Sequence, residues 1–185
     1  DDFNPIPVFY KFLGQFIPAI VIVSSFDPGD LLIPFISSVV EMPSVFNYLF
    51  WILAIVLIMN AYNLIDGIDG LALGLGIFAS VTFGVFFVKL GQSNLSIFAF
   101  SLAGALGGLL VFNLSKKNKI FIGDTGSLLL GGIIGYFALK YLNLNGPQNL
   151  NESTYQALGV LLIPLFDMIR VIGKRLSHCQ SPFFA

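Results

Sequence analysis

The chain has 185 residues, of which 56% are hydrophobic and only 10% are charged, and its mean hydropathy is +0.89. This composition excludes an ordinary soluble domain and is typical of a membrane protein. A net charge of −1 offers no general attraction for nucleic acid, so an anionic substrate would have to be held by local groups. The single cysteine, Cys179, excludes a disulfide within these residues and a CxxC metal or redox site.

Six apolar segments are long enough, or nearly long enough, to cross a bilayer, which requires about 20 residues and roughly 17 at the least. They cover approximately residues 9–26, 44–62, 72–90, 95–114, 128–142 and 155–172. The fifth is short by itself, and the sequence GDTGS at 123–127 separates it from the apolar residues 120–122. The sequence therefore predicts an all-α transmembrane bundle of about six spans, the fifth of which is broken or starts from a loop.

Two connections on one side of this bundle are predicted to be exposed. Residues 27–43 contain an apolar run of about ten residues, too short to cross, so a small hairpin or re-entrant segment is expected there. The asparagine-rich residues 143–154 are expected to form a loop outside the cytoplasm. Because no initiator methionine or targeting segment precedes Asp1, we expect 1–185 to be one transmembrane domain truncated at both ends.

Basic residues are unequally divided between the two ends of the predicted bundle. Seven of the nine lie at one end, namely Lys11, Lys116, Lys117, Lys119, Arg170, Lys174 and Arg175. Lys89 and Lys140 lie at the other end. The positive-inside rule predicts that the first end faces the cytoplasm.

Carboxylates gather at that same end. Of the ten acidic residues, Asp1, Asp2, Asp66, Asp69, Asp124 and Asp167 lie there, and Asp27, Asp30, Glu41 and Glu152 fall in connections on the other side. Charged groups close to hydrocarbon are costly and commonly mark functional sites. The shared location therefore indicates one site at the predicted cytoplasmic end.

The first motif is NAYNLIDGIDG at residues 60–70. Its polar members recur every three residues, at Asn60, Asn63, Asp66 and Asp69, so a helix here would carry them as a stripe on one face. Gly67 and Gly70 would let a ligand or another backbone approach the carboxylates. The alternative is a polar cap that ends a helix, although a cap needs one such residue rather than four.

The second motif is GDTGS at residues 123–127, before a predicted helix. Its glycines and the backbone amides of a helix N-terminus suit a phosphate, whereas Asp124 suits a hard cation such as Mg²⁺. A capped turn is the alternative for this motif taken alone. Since carboxylates by themselves would repel a phosphorylated substrate, a divalent cation between the two is expected. Nearby basic residues such as Lys119 and Arg175 either hold phosphates or anchor the cytoplasmic end.

Residues 60–71 (NAYNLIDGIDGL) and 113–127 (NLSKKNKIFIGDTGS) resemble the polyprenyl-phosphate N-acetylhexosamine-1-phosphate transferases, glycosyltransferase family 4. Asp1 and Asp2, followed by Lys11 and Gln15, are similar to the DD-led cytoplasmic motif of that family. Residues 164–175 (PLFDMIRVIGKR) are similar to its segment near the last cytoplasmic loop. The resemblance extends over nearly the whole chain.

The resemblance implies a multi-pass enzyme of the bacterial plasma membrane with its active site facing the cytoplasm. Such an enzyme transfers a sugar-1-phosphate from a UDP-sugar to undecaprenyl phosphate and releases UMP, with Mg²⁺, or alternatively Mn²⁺, as cofactor. It starts the assembly of a cell-envelope polysaccharide, has no nucleic acid partner and is compatible with a homodimer.

The resemblance also implies roles for individual residues. The expected catalytic residues are Asp1, Asp2, Asp66, Asp69 and Asp124, with Asp124 and Asp2 as metal ligands. The expected substrate-binding residues are Asn60, Asn63, Gly123, Ser127, Lys119 and Arg175. Which aspartate acts as a base is left open.

Two departures from the family pattern are visible. The histidine-rich cytoplasmic motif is absent; its spacing places it after residue 185, so truncation is inferred, and His178 is not its equivalent. The interval from Asn113 to Asp124 is one residue longer than in many relatives, which leaves the role of Asn113 open. The sequence NLIDGIDG and the terminal Ser-Pro-Phe favour the GlcNAc-1-phosphate branch over the branch that transfers phospho-MurNAc-pentapeptide.

Two other functions are compatible with spaced aspartates in a membrane protein. A CDP-alcohol phosphatidyltransferase requires DGxxAR, but the arginine is missing from the sequence that starts at Asp69. A cation carrier would place acids near the middle of the bilayer, often in repeats, and neither feature is present here.

Overall fold

The computed structural model describes residues 8–27, 33–34 and 43–177. Asp1, Asp2, His178 and most of the predicted hairpin at 27–43 lie outside the described residues. The expectations for those residues therefore stay predictions.

The described part of the chain consists of six α-helices and a short 3-10 turn. The helices are α1 (Val8–Ser24), α2 (Ser44–Ile65), α3 (Leu71–Lys89), α4 (Ser93–Asn113), α5 (Gly123–Asn145) and α6 (Leu150–Ser177), and the turn is Pro147–Asn149. Five of them, α2 to α6, are long and apolar enough to cross a membrane, whereas α1 is a shorter apolar helix of 17 residues. The predicted all-α, polytopic bundle is confirmed.

The boundaries of α5 and α6 differ from the prediction. α5 begins at Gly123 because GDTGS forms its first turns, while residues 115–122 before it contain no helix. At the other end α5 continues to Asn145 and α6 starts at Leu150, so the loop predicted at 143–154 is reduced to a short connection. Gly146, with φ of 68°, and the 3-10 turn after it reverse the chain within that connection.

Successive helices run in opposite directions. The hydroxyl of Tyr48, near the start of α2, donates to the carbonyl oxygen of Phe26, just after the end of α1. The first turns of α1, α3 and α5 therefore lie at the same end of the bundle as the last turns of α2, α4 and α6. The seven basic residues grouped by the sequence belong to this end.

Close packing of α2 against α5 sets the relative position of their ends. A Cβ atom added to Gly131 of α5 would lie 2.6 Å from the Cα atom of Met59 in α2, so the two backbones are in direct contact there. One turn further along α2 is Asn63, and one turn before Gly131 on α5 is Ser127. The crossing thus brings the two sequence motifs together.

Candidate active site

The first motif forms the end of α2 and the turn that leads into α3. α2 ends at Ile65, so Asn63 lies on the helix, whereas Asp66 and Asp69 lie in the turn. The predicted helical stripe is therefore wrong beyond residue 65, because the chain turns at Gly70, which has φ of 75° and precedes α3. A Cβ atom on Gly70 would lie 3.0 Å from the Cδ2 atom of Leu114, so this glycine permits close approach of α4 rather than of a ligand.

The second motif is joined to the first through Asn63. Its Nδ2 atom donates to Ser127 Oγ at 3.0 Å and lies 3.4 Å from Asp124 Oδ1. The Ser127 hydroxyl, which is fully buried, donates in turn to the carbonyl oxygen of Asp124 at 3.1 Å. Ser127 therefore holds the first turn of α5 against α2, and Gly123, with φ of 69°, begins that turn.

Two of the three carboxylates pair with lysines from distant parts of the chain. Lys11 Nζ lies 2.8 Å from Asp124 Oδ2, and Lys119 Nζ bonds to Asp69 Oδ2. The side chains of Asp124 and Asp69 are 50% and 51% exposed, so both remain accessible to a ligand. The sequence had grouped these lysines with the basic end without assigning them to particular aspartates.

Asp66 is the third carboxylate of the cluster, and within the described residues it forms no ion pair. Partial burial, followed by the negative charges of Asp124 and Asp69, raises the pKa of the Asp66 carboxyl above its usual range. Asp66 is therefore close enough to Asp124 and to Asp69 to be affected by the negative charge of each.

Asn60 has a structural contact that the sequence did not predict. Its amide and that of Gln15 bond to each other in both directions, and Asn60 Nδ2 also donates to the carbonyl oxygen of Val56 at 2.8 Å. These bonds join α1 to α2. The side chain nevertheless lines the cavity described next, so its predicted role in substrate binding stays a prediction.

A cavity of about 470 Å³ opens beside the cluster, between α1, α2, α5 and α6. Its polar wall contains Lys11, Asn63, Asp124 and Arg175, and its other wall contains apolar residues such as Leu53 and Leu57. A second cavity of about 600 Å³ lies between α2, α5 and α6, is lined almost entirely by apolar residues, and shares Leu53 and Leu57 with the first. The two cavities therefore lie next to each other along α2.

Among the described residues, no group of three or more His, Cys, Asp or Glu side chains is arranged to hold a metal ion. Asp124 is described, but its predicted partner Asp2 is not. Asp167, the remaining acidic residue at this end, forms an ion pair with Arg170 on the same helix.

Sequence reasoning left three contributing residues without a role. Lys11 was noted only as one of the basic residues and within the DD-led motif, Gln15 only within that motif, and Asn113 only for its unusual spacing. Asn113 is buried and bonds to the backbones of Gly70 and Ile120. In the sequence, Asn113 is visible only as a polar residue at the end of an apolar helix, and this does not show which backbone groups its side chain bonds to.

Comparisons with known proteins identify a family whose match includes both motifs. The model of the family described as Glycosyl transferase family 4 matches residues 1–142. The undecaprenyl-phosphate alpha-N-acetylglucosaminyl 1-phosphate transferase of Escherichia coli K12 is 33% identical over 143 residues, which are 75% of this chain and 38% of that protein. The phospho-N-acetylmuramoyl-pentapeptide-transferase of Listeria monocytogenes is 39% identical over 135 residues, which are 70% of this chain and 40% of that protein. The chain thus spans about two fifths of the length of these relatives.

Proposed function

The chain belongs to glycosyl transferase family 4, and from this membership we propose that the protein containing it transfers a sugar-1-phosphate from a UDP-sugar to undecaprenyl phosphate, releasing UMP. The observation that carries the proposal is the convergence of two separate motifs. Asn63 of the first motif bonds to Ser127 of the second and contacts Asp124, beside a cavity that is charged at one end and apolar at the other. A phosphorylated lipid is likewise charged at one end and apolar along the rest of its length.

The proposed donor is UDP-GlcNAc. The sequence NLIDGIDG at residues 63–70 supports this choice, as does the similarity to the Escherichia coli transferase. UDP-MurNAc-pentapeptide is the second candidate, because the Listeria relative has the higher identity of the two, 39% against 33%.

The proposed acceptor site is the path formed by the two cavities. The lipid phosphate would lie at the polar end, where Lys11 and Arg175 supply positive charge, and the polyprenyl chain would follow the apolar wall past Leu53 and Leu57. A polyprenyl chain in the bilayer is already surrounded by hydrocarbon, so this wall would hold it by packing contacts rather than by the hydrophobic effect. We place this end of the bundle at the cytoplasmic face of a bacterial plasma membrane, in keeping with its basic residues.

Mg²⁺ is the proposed cofactor, with Asp124 and Asp2 as its ligands. The half-exposed Asp124 carboxylate fits a hard cation, and a cation bound there would also reduce the effect of the Asp124 charge on Asp66. Mg²⁺ usually retains several waters and needs only one or two carboxylates, so a cage of three acids is not required. When bound, it would neutralise charge on the diphosphate of the UDP-sugar.

The chain's own residues orient the reactants. Asn63 contacts Asp124 Oδ1 at 3.4 Å and would help to orient it, and the backbone amides at the start of α5 would bind the phosphates. Lys11 and Lys119 offset the negative charges of Asp124 and Asp69 and present ammonium groups to the substrate. An oxygen of the lipid phosphate then forms a bond to the sugar-linked phosphorus, while the bond from that phosphorus to the bridging oxygen breaks and UMP leaves with the electron pair.

The experiment that tests this proposal is UMP release by the purified full-length protein. UDP-GlcNAc and UDP-MurNAc-pentapeptide are supplied separately, each with undecaprenyl phosphate and Mg²⁺. Turnover with UDP-GlcNAc alone supports the proposed donor, and turnover with the pentapeptide donor alone replaces it with the second candidate. If no UMP is released with either donor, the proposed function is wrong.

A further inference from the structure

Asn113, the last residue of α4, joins two segments of the site. It is only 3% exposed. Its Oδ1 atom accepts a hydrogen bond from the Gly70 N–H at 2.7 Å, and its Nδ2 atom donates to the carbonyl oxygen of Ile120 at 2.9 Å. One side chain thus connects the turn that carries Asp66 and Asp69 to the segment between α4 and α5.

That segment has few other restraints at the same position. Residues 115–122 contain no helix or strand. The Ile120 N–H contacts the carbonyl oxygen of Phe112 at the long distance of 3.4 Å, whereas the Asn113 bond to the Ile120 carbonyl is short. Asn113 therefore supplies the stronger of these two restraints on Ile120.

The two bonds of Asn113 fall beside the two members of an ion pair. Gly70 follows Asp69 in the chain and Ile120 follows Lys119, and Asp69 and Lys119 bond to each other. Both side chains are substantially exposed, at 51% and 36%, so solvent weakens the attraction between them. The separation of the two groups must therefore be set mainly by the backbones that carry them, and Asn113 joins those backbones.

We propose that Asn113 is a positioning residue that sets the separation of Asp69 from Lys119 and so holds the Lys119 ammonium group where it can contact the diphosphate of the nucleotide-sugar. The inference rests on the proposed function and adds a residue to its site. Lys119 is also restrained on its other side, where its Nζ atom lies 4.7 Å from the centre of the Phe121 ring. Without Asn113, the segment that carries Lys119 and Phe121 would keep only its weaker restraints, such as the long contact between Ile120 and Phe112.

The test is a double-mutant cycle in the full-length protein, with N113A, K119A and the double variant. KM and kcat are measured for whichever nucleotide-sugar the wild type uses, and KM is measured separately for undecaprenyl phosphate. Loss of one charge-assisted phosphate contact corresponds to roughly a tenfold rise in KM for the donor. We expect N113A to show that rise, with little change in the acceptor KM, and to have little further effect when Lys119 is already alanine.

Two further variants separate positioning from general stability. N145A removes a side-chain hydrogen bond of the same kind at the other end of the bundle, from Asn145 Nδ2 to the carbonyl oxygen of Tyr141 at 2.8 Å. It should leave the donor KM unchanged. If N113A does not fold, N113D serves in its place. It keeps an acceptor for Gly70 but sets a carboxylate oxygen against the Ile120 carbonyl, and it should also raise the donor KM.

The outcomes are distinct. The positioning role is wrong if N113A raises the donor KM by the same factor in the wild type and in K119A. It is also wrong if N113A changes the donor KM and the acceptor KM equally. If the wild type is active and neither N113A nor N113D changes the donor KM, this inference is wrong but the proposed function is unaffected. A wild type that releases no UMP from either donor overturns the proposed function and this inference with it.

Discussion

Lys11 Nζ lies 2.8 Å from Asp124 Oδ2, although 113 residues separate them in the chain. The contact brings the first turns of α1 and α5 together at the charged end of the bundle. One oxygen of the carboxylate proposed to bind Mg²⁺ is therefore already paired with an ammonium group. A cation that binds Asp124 has to compete with Lys11 or shift it towards a phosphate.

The first prediction concerns this competition. In K11M, Asp124 loses its pairing ammonium group, so we expect the Mg²⁺ concentration needed for half-maximal UMP release to fall. Because the pair is partly exposed, the decrease should be at most about fivefold. Maximal turnover should also fall, because a positive charge that faces the phosphates is removed. K140M, at the other end of the bundle, is the control, and an Mg²⁺ requirement equal in K11M and wild type would contradict the competition.

The second prediction concerns Asp124 itself. D124N keeps the size of the side chain but removes the charge, and we expect UMP release to fall at least about a hundredfold, as for the loss of a group that stabilises transition-state charge. Titration of the purified protein with Mn²⁺, followed by electron paramagnetic resonance, should show weaker binding. D167N, which alters a carboxylate paired with Arg170 on α6, is the matched control. Full activity in D124N would exclude Asp124 as the metal ligand.

The sequence predicted the helices of this bundle well but the contacts between its motifs poorly. Apolar length alone located all six helices, because a membrane span has a minimum length. The stripe from Asn60 to Asp69 was extended too far, since an i, i+3 pattern does not show that the helix ends at Ile65. The pairing of Lys11 with Asp124 and the bridge made by Asn113 depend on helix packing, for which no local pattern exists.

The third prediction concerns the proposed lipid path. Leu57 lines both cavities, so the larger side chain in L57W would obstruct space in each of them. We expect KM for undecaprenyl phosphate to rise about tenfold, which corresponds to about 1.4 kcal/mol of binding free energy, while KM for the nucleotide-sugar stays constant. L162W is the control because Leu162 is exposed on α6 and does not line either cavity. A short-chain polyprenyl phosphate should be less affected by L57W, and an unchanged acceptor KM would place the lipid elsewhere.

The last prediction concerns the crossing of α2 and α5. In G131A the new Cβ would lie 2.6 Å from Met59 Cα, and backbone on a packed helix cannot move aside as a flexible side chain could. The helices must separate, at a cost of about 1–3 kcal/mol in the free energy of unfolding. Thermal unfolding in detergent should show the loss.

Separation of the two helices would also lengthen the 3.0 Å bond between Asn63 and Ser127 one turn away, so UMP release should fall with stability. G108A is the control, because a Cβ atom on Gly108 meets nothing within 4 Å. If G131A and G108A unfold at the same temperature, α2 and α5 do not pack backbone to backbone at Gly131. If G131A is destabilised but fully active below its unfolding temperature, the crossing supports the fold without controlling the geometry of Asn63 and Asp124.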